Sequence, residues 1–202
     1  MKGKRIALTS VLLAIGLYAT QSQAMLISGQ DIIAAPAYVI DDAPGATNFH
    51  QQGFDEAQDV LLMMDLAVDG GLIGSGTVVD SHMIFLNTPV GAGGASDSGV
   101  QWLFDGIILG VMSDSGGTLE AASSSILGAP GTVYPSAFNN RGMEGGDSYT
   151  VVGNMITVNM IVSEPGDWIR VVTASASVPE PSALALLSLG LLGVAFRRKS
   201  GH

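Results

Sequence analysis

The chain has no cysteine among its 202 residues. Disulfides, thiolate-bound metals and a cysteine nucleophile are therefore excluded, and a packed core must hold the fold together. Basic residues are nearly as scarce. Of the eight Lys and Arg, Lys2, Lys4 and Arg5 lie at the start, and Arg197, Arg198 and Lys199 near the end. Between residues 25 and 178 only Arg141 and Arg170 remain, against seventeen Asp and Glu, which leaves a net charge of −15 and no lysine. A field of that sign repels phosphate backbones and anionic lipid, so nucleic acid is excluded as a partner. Solubility outside the cell is the ordinary reason for such acidity. Trp102, Trp168, Tyr38, Tyr134 and Tyr149 are the Trp and Tyr of this stretch. They are few for a sugar-stacking groove and suit core positions.

What is present begins with two apolar runs at the ends. Behind the basic residues, Ile6 to Tyr18 is apolar and Ser22-Gln23-Ala24 supplies small residues. That order is a secretory signal, with cleavage by signal peptidase expected between Ala24 and Met25. About 13 apolar residues span about 20 Å as a helix, short of a bilayer core of about 30 Å. The second run, Ser182 to Phe196, follows Val178-Pro179-Glu180-Pro181 and ends at Arg197-Arg198-Lys199. Pro179 and Pro181 oppose helix upstream, so a transmembrane helix is expected over 182–196. The basic tail, 197–202, stays cytoplasmic and leaves the body of the chain outside the inner membrane.

Proline motif, short apolar helix and basic stop together resemble the PEP-CTERM sorting signal of exopolysaccharide-producing Gram-negative bacteria. The resemblance covers about the last 25 residues. It implies that Pro179, Glu180 and Pro181 are read by exosortase, an integral-membrane cysteine protease, with cleavage near the motif. The expected organisation is thus a signal peptide (1–24), an exported domain (25–178) and a sorting segment (179–202).

For the exported domain, short branched runs separated by Gly, Asp and Ser predict an all-β fold, an antiparallel, jelly-roll-like β-sandwich. Predicted strands are Val60 to Val68, Gly76 to Val79, Met83 to Leu86, Val100 to Phe104 and Ile107 to Met112. Met155 to Val162 and Trp168 to Thr173 are expected to pair as a hairpin across a type II turn at Pro165-Gly166. One helix is predicted over Thr118 to Leu127, with Thr118 as cap and Glu120 in the first turn. The stretches Phe54 to Leu62 and Glu164 to Val171 also resemble secreted β-rich domains that occur with several alternative surface anchors. That likeness implies location and fold but no activity.

Ser113-Asp114-Ser115-Gly116-Gly117 is similar to the nucleophile loop of trypsin-like proteases, with His82 as a conceivable base. The domain is too short for two barrels, and Ser113 replaces the first glycine of that motif. A turn accounts for the segment. His50 and His82 lack metal-ligand spacing, and the Gly pairs lack the lysine of a nucleotide loop. No catalytic residue is assigned. Abundant carboxylates leave Ca²⁺ as the one cofactor to consider, with Asp65, Asp69, Asp105 and Asp114 as candidate ligands. The leading function is a non-enzymatic surface or matrix protein in contact with exopolysaccharide. The alternative is a secreted hydrolase acting on polysaccharide or peptide, which would need two carboxylates held across a cleft.

Overall fold

The computed structural model describes residues 25–175 except Asp42, Pro44 and Glu164. The expected signal helix, Ala24, the Pro179-Glu180-Pro181 motif, the 182–196 helix and the basic residues Arg197, Arg198 and Lys199 lie outside the described residues. Among the described residues no helix is long and apolar enough to cross a membrane.

In chain order the elements are β1 (Leu26–Ser28), β2 (Gln52–Asp55), β3 (Val60–Leu61), β4 (Leu66–Val68), β5 (Gly71–Ile73) and β6 (Val78–Leu86). There follow β7 (Ala95–Phe104), β8 (Ile108–Met112), α1 (Thr118–Leu127), β9 (Ser148–Val152), β10 (Met155–Val162) and β11 (Asp167–Ala174). The fold is mostly β, with antiparallel strand pairing and one short helix. One sheet runs β1-β7-β10-β9 and the other β2-β6-β11-β8, with β3 also on β6 and a small β4-β5 ribbon beside them.

Side-chain alternation decides how these sheets are buried. Ile84 and Leu86 of β6, Val111 of β8, and Ile169 and Val171 of β11 share one apolar cluster with Trp102 and Phe104 of β7. Ile156, Val158, Met160 and Val162 of β10 join them, so the two sheets pack on a common core. The intervening β11 residues point the other way: Trp168 packs with Phe54, Met83 and Phe85, and Val172 with Val79, Met112 and Leu127 of α1. From Asp167 to Thr173 every residue of β11 is buried, as is every residue of its neighbour β6 from Val79 to Leu86. Each fully buried Val or Ile contributes about 1.5–3 kcal/mol.

The expected hairpin between Met155–Val162 and Trp168–Thr173 does not form: β10 pairs β7 and β9, and β11 pairs β6 and β8. Gly166 is not among the residues with positive φ, as a type II turn would require. Instead the chain changes sheets there, and a Cβ on Gly166 would lie 2.5 Å from the Leu86 carbonyl oxygen. The hairpin is β9–β10, closed by Gly153-Asn154 with Gly153 at φ 64°, the first central position of a II′ turn. The predicted Val60–Val68 strand is broken into β3 and β4, leaving Met63 and Met64 exposed. Conversely, Gly76–Val79 and Met83–Leu86 merge into β6, because the polar residues between them are buried with partners. Ser81 Oγ donates to Glu56 Oε2 at 2.7 Å, and His82 meets Asp55 and Thr173. The helix has the predicted bounds but a different cap. Gly117, left-handed at φ 60°, precedes it, and the Asp114 carboxylate accepts the amides of Thr118 and Leu119 at 2.8 and 2.9 Å.

Candidate functional site

The two arginines of the domain are both inside it. Arg170 projects from β11 toward α1, on the face opposite the inter-sheet core. Its Nε and Nη2 donate to Glu56 Oε2 and Oε1 at 2.6 and 2.8 Å, in the bidentate geometry that suits guanidinium and carboxylate. Nη1 donates to the Glu120 carbonyl oxygen and to Ser123 Oγ, both at 2.6 Å. Arg141, in the loop before β9, donates through Nη2 to Glu120 Oε2. Its guanidinium also lies over the rings of Phe138 and Trp168, at 5.7 and 5.2 Å from their centroids, a favourable placement for a desolvated cation. Burial, with the Arg170 charge behind it, pulls Arg141 down to about 9, so it stays charged at neutral pH. Tyr134 covers Arg170, its ring centroid 5.4 Å from the guanidinium. Burial and then the Glu56 charge push the Tyr134 hydroxyl up, so it remains neutral.

Glu56, Glu120, Arg141 and Arg170 are each at most 5% exposed, so the group neutralises itself away from solvent. It joins α1, the loop after β2 and β11, which is a positioning device rather than a substrate cleft. A lone arginine within the apolar run Trp168-Ile169-Arg170-Val171-Val172 was the available sequence signal. Its partners, 50 and 114 residues away, were not.

His82 is likewise sealed. Its Nδ1 lies 2.7 Å from Asp55 Oδ1 and its Nε2 3.1 Å from Thr173 Oγ1, with both His82 and Thr173 fully buried. Ser113 is engaged elsewhere: its Oγ donates to Asp69 Oδ2 at 2.7 Å. The protease-like segment is therefore the lead-in to α1, tied to the loop before β9 by the Arg141 amide donating to the Ser115 carbonyl oxygen at 3.0 Å. Hydrogen bonds from Thr118 and Leu119 outweigh burial at Asp114 and hold its carboxyl below the usual value.

The carboxylates considered for Ca²⁺ are dispersed. Asp65 Oδ1 accepts the Ser75 amide at 2.9 Å, and Asp114 caps α1. Asp69 accepts Ser113 and the Tyr149 hydroxyl, the latter at 3.0 Å. Asp105 Oδ1 accepts the Met25 amide at 2.7 Å, at the residue beyond the expected Ala24 cleavage. None of the four belongs to the acidic group that the fold does assemble. In that group, carboxylate oxygens of Glu144, Asp147 and Asp167 all lie within 4.8 Å of one another. Burial, reinforced by Asp147 and Glu144, pushes Asp167 up to about 9, and burial with Asp147 raises Glu144. Glu144 and Asp147 flank the Gly145-Gly146 pair, whose local sequence signals no more than a turn. Asp167 looked like part of a second turn.

An apolar hollow lies between Leu61–Ala67 and α1, lined in part by Met63, Met64, Leu119 and Ile126.

Residues 177–199 match the family model of the PEP-CTERM protein-sorting motif. That span includes the whole Pro179-Glu180-Pro181 motif, the apolar run and the Arg197-Arg198-Lys199 stop. No curated protein and no solved structure matches the chain. The chain carries a PEP-CTERM sorting signal and is an exported protein, membrane-anchored as precursor and processed by exosortase.

Proposed function

We propose that the chain is a non-enzymatic surface or matrix protein. Signal peptidase removes residues 1–24 and exosortase processes the 179–202 segment. The body then stands outside the cell as a jelly-roll-like β-sandwich in contact with exopolysaccharide. The observation that carries this reading is the match of residues 177–199 to the sorting motif. The sharing of one apolar core by two antiparallel sheets supports the sandwich. The non-enzymatic reading is supported by the engagement of the internal carboxylates Glu56 and Glu120 with Arg170 and Arg141. It is also supported by the burial of the His82–Thr173 pair. Exopolysaccharide as the surroundings follows from the bacteria in which this sorting system operates.

Mass spectrometry of the protein from hosts with and without exosortase tests the processing. The expected product begins at Met25 and lacks the Leu-rich segment only where exosortase is present. Identical C-termini in both hosts overturn it. Hydrolase activity on the host's exopolysaccharide or on peptides would replace the non-enzymatic reading with the secreted-enzyme one.

A further inference from the structure

We propose that Glu144, Asp147 and Asp167 form a Ca²⁺ site that ties the loop before β9 to the first residue of β11. Three observations converge on it. The first is placement. Asp147 Oδ2 accepts the Glu144 amide at 2.8 Å, and the Asp147 amide donates back to the Glu144 carbonyl oxygen at 2.9 Å. This closes a turn through Gly145, at φ 59°, and Gly146. Asp147 Oδ1 accepts the Ile161 amide of β10 at 2.7 Å, so its carboxylate is fixed by backbone on both oxygens.

The second observation is a pair of buried carboxylate oxygens without a donor. Asp167 is 1% exposed, and its Oδ2 receives no hydrogen bond from a donor; the side chain that meets its carboxyl is another acid, Asp147. Glu144 Oε2 is buried and unpartnered too. Both belong to the group whose oxygens converge within 4.8 Å. Buried carboxylates stay ionised only when something positive compensates them.

The third is that no side chain of the domain supplies the compensation. Its only arginines are bound to Glu56 and Glu120, and residues 25–178 contain no lysine. His82 is occupied by Asp55 and Thr173, and His50 lies 3.8 Å from Asp97.

The donor set selects the ion. All three ligands are hard oxygens with no imidazole or thiolate, which disfavours zinc and copper. Oxygens within 4.8 Å of one another can reach a single ion, and Ca²⁺ accepts irregular loop coordination where Mg²⁺ demands a near-ideal octahedron and dehydrates reluctantly. Three carboxylates supply up to six oxygens, and Ca²⁺ takes water readily for the rest. A bound ion would join the loop carrying Glu144 and Asp147, which borders one sheet, to Asp167 in the other.

The test is calorimetric titration of the detergent-purified full chain with CaCl2 and MgCl2, together with thermal melts at matched ionic strength. Expected are one Ca²⁺ per chain at this site and a Tm rise of about 5–10 °C at a hundredfold excess over Kd, with a smaller response to Mg²⁺. Asp167→Asn removes a ligand and an uncompensated acid together. It should raise Tm in chelator while abolishing the calcium response, a pair of effects that mere loss of structure would not produce. If Asp167→Asn does not fold, Glu144→Gln must lose the same binding event. Absence of calcium binding by the wild type overturns the site. So does binding that survives Asp167→Asn or Glu144→Gln but disappears with Asp65→Asn. The outcome is independent of how the C-terminus is processed.

Discussion

Arg170 and Glu56 meet through two parallel hydrogen bonds of 2.6 and 2.8 Å, and neither side chain reaches solvent. The strand that carries Arg170 is internal to its sheet, and Glu56 follows the sheet's edge strand β2. The pair therefore locks the chain leaving β2 under α1, where Ser123, Ser124 and the Glu120 carbonyl oxygen accept from the rest of the guanidinium.

Removing one partner leaves the other charged and buried, so Glu56→Leu or Arg170→Met should cost about 3–5 kcal/mol. The double variant Glu56→Leu/Arg170→Met should recover much of that loss. Urea unfolding of the four proteins measures the coupling. Additive losses would show that the pair acts as two independent contacts.

A second prediction concerns Trp102, whose indole donates to Gln51 Oε1 at 3.0 Å. A Cβ on Gly29 would lie 1.9 Å from the Trp102 ring, and one on Gly53 2.7 Å from it. Gly29→Ala must displace the indole or β1 and should cost about 1–3 kcal/mol or more. Gly45→Ala meets no atom within 4 Å and changes only a left-handed turn, so its cost should be smaller. Equal unfolding midpoints for the two variants would contradict the packing argument.

How much was legible follows from what each signal measures. The helix over Thr118–Leu127 and the runs that became β7, β8, β10 and β11 were readable because branched residues and local punctuation report nearby chain. The β10–β11 pairing was not. Strand content does not say which sheet a strand joins, and Pro165-Gly166 serves a change of sheet as well as a hairpin. Polar Asp80-Ser81-His82 concealed the continuity of β6, since their partners Asp59, Glu56 and Asp55 come from the end of β2 and the loop after it. Strand β9, Ser148–Val152, escaped because its side chains are largely exposed and its pattern weak. Abundant Asp did not show which carboxylates the fold brings together. Glu144, Asp147 and Asp167 converge only when the loop before β9 folds against the start of β11. The sorting signal was readable in full because it is linear.

In chelator, stability should fall as pH rises. The folded state holds Asp167 protonated up to about 9, whereas the unfolded chain releases that proton near 3.8. The folded state thus binds more protons throughout that window, and unfolding free energy declines with increasing pH. Urea midpoints at pH 5, 6.5 and 8 should decrease in that order, and Asp167→Asn should flatten the trend. A midpoint that rises from pH 5 to pH 8 would contradict the assignment.

The sorting claim is tested most directly at Glu180. As a helix, Ser182 to Phe196 would span about 22 Å, against a bilayer core of about 30 Å, which makes it a marginal permanent anchor. Arg197 and Arg198 at the cytoplasmic face would bring the proline motif to the outer boundary of that membrane, within reach of a membrane-embedded protease. Pulse-chase fractionation of Glu180→Ala in an exosortase-bearing host should show normal export followed by accumulation of the uncleaved, Leu-rich form in the inner membrane. Processing and release at the wild-type rate would show that Pro179-Glu180-Pro181 is not read through Glu180 and that the segment is a plain anchor.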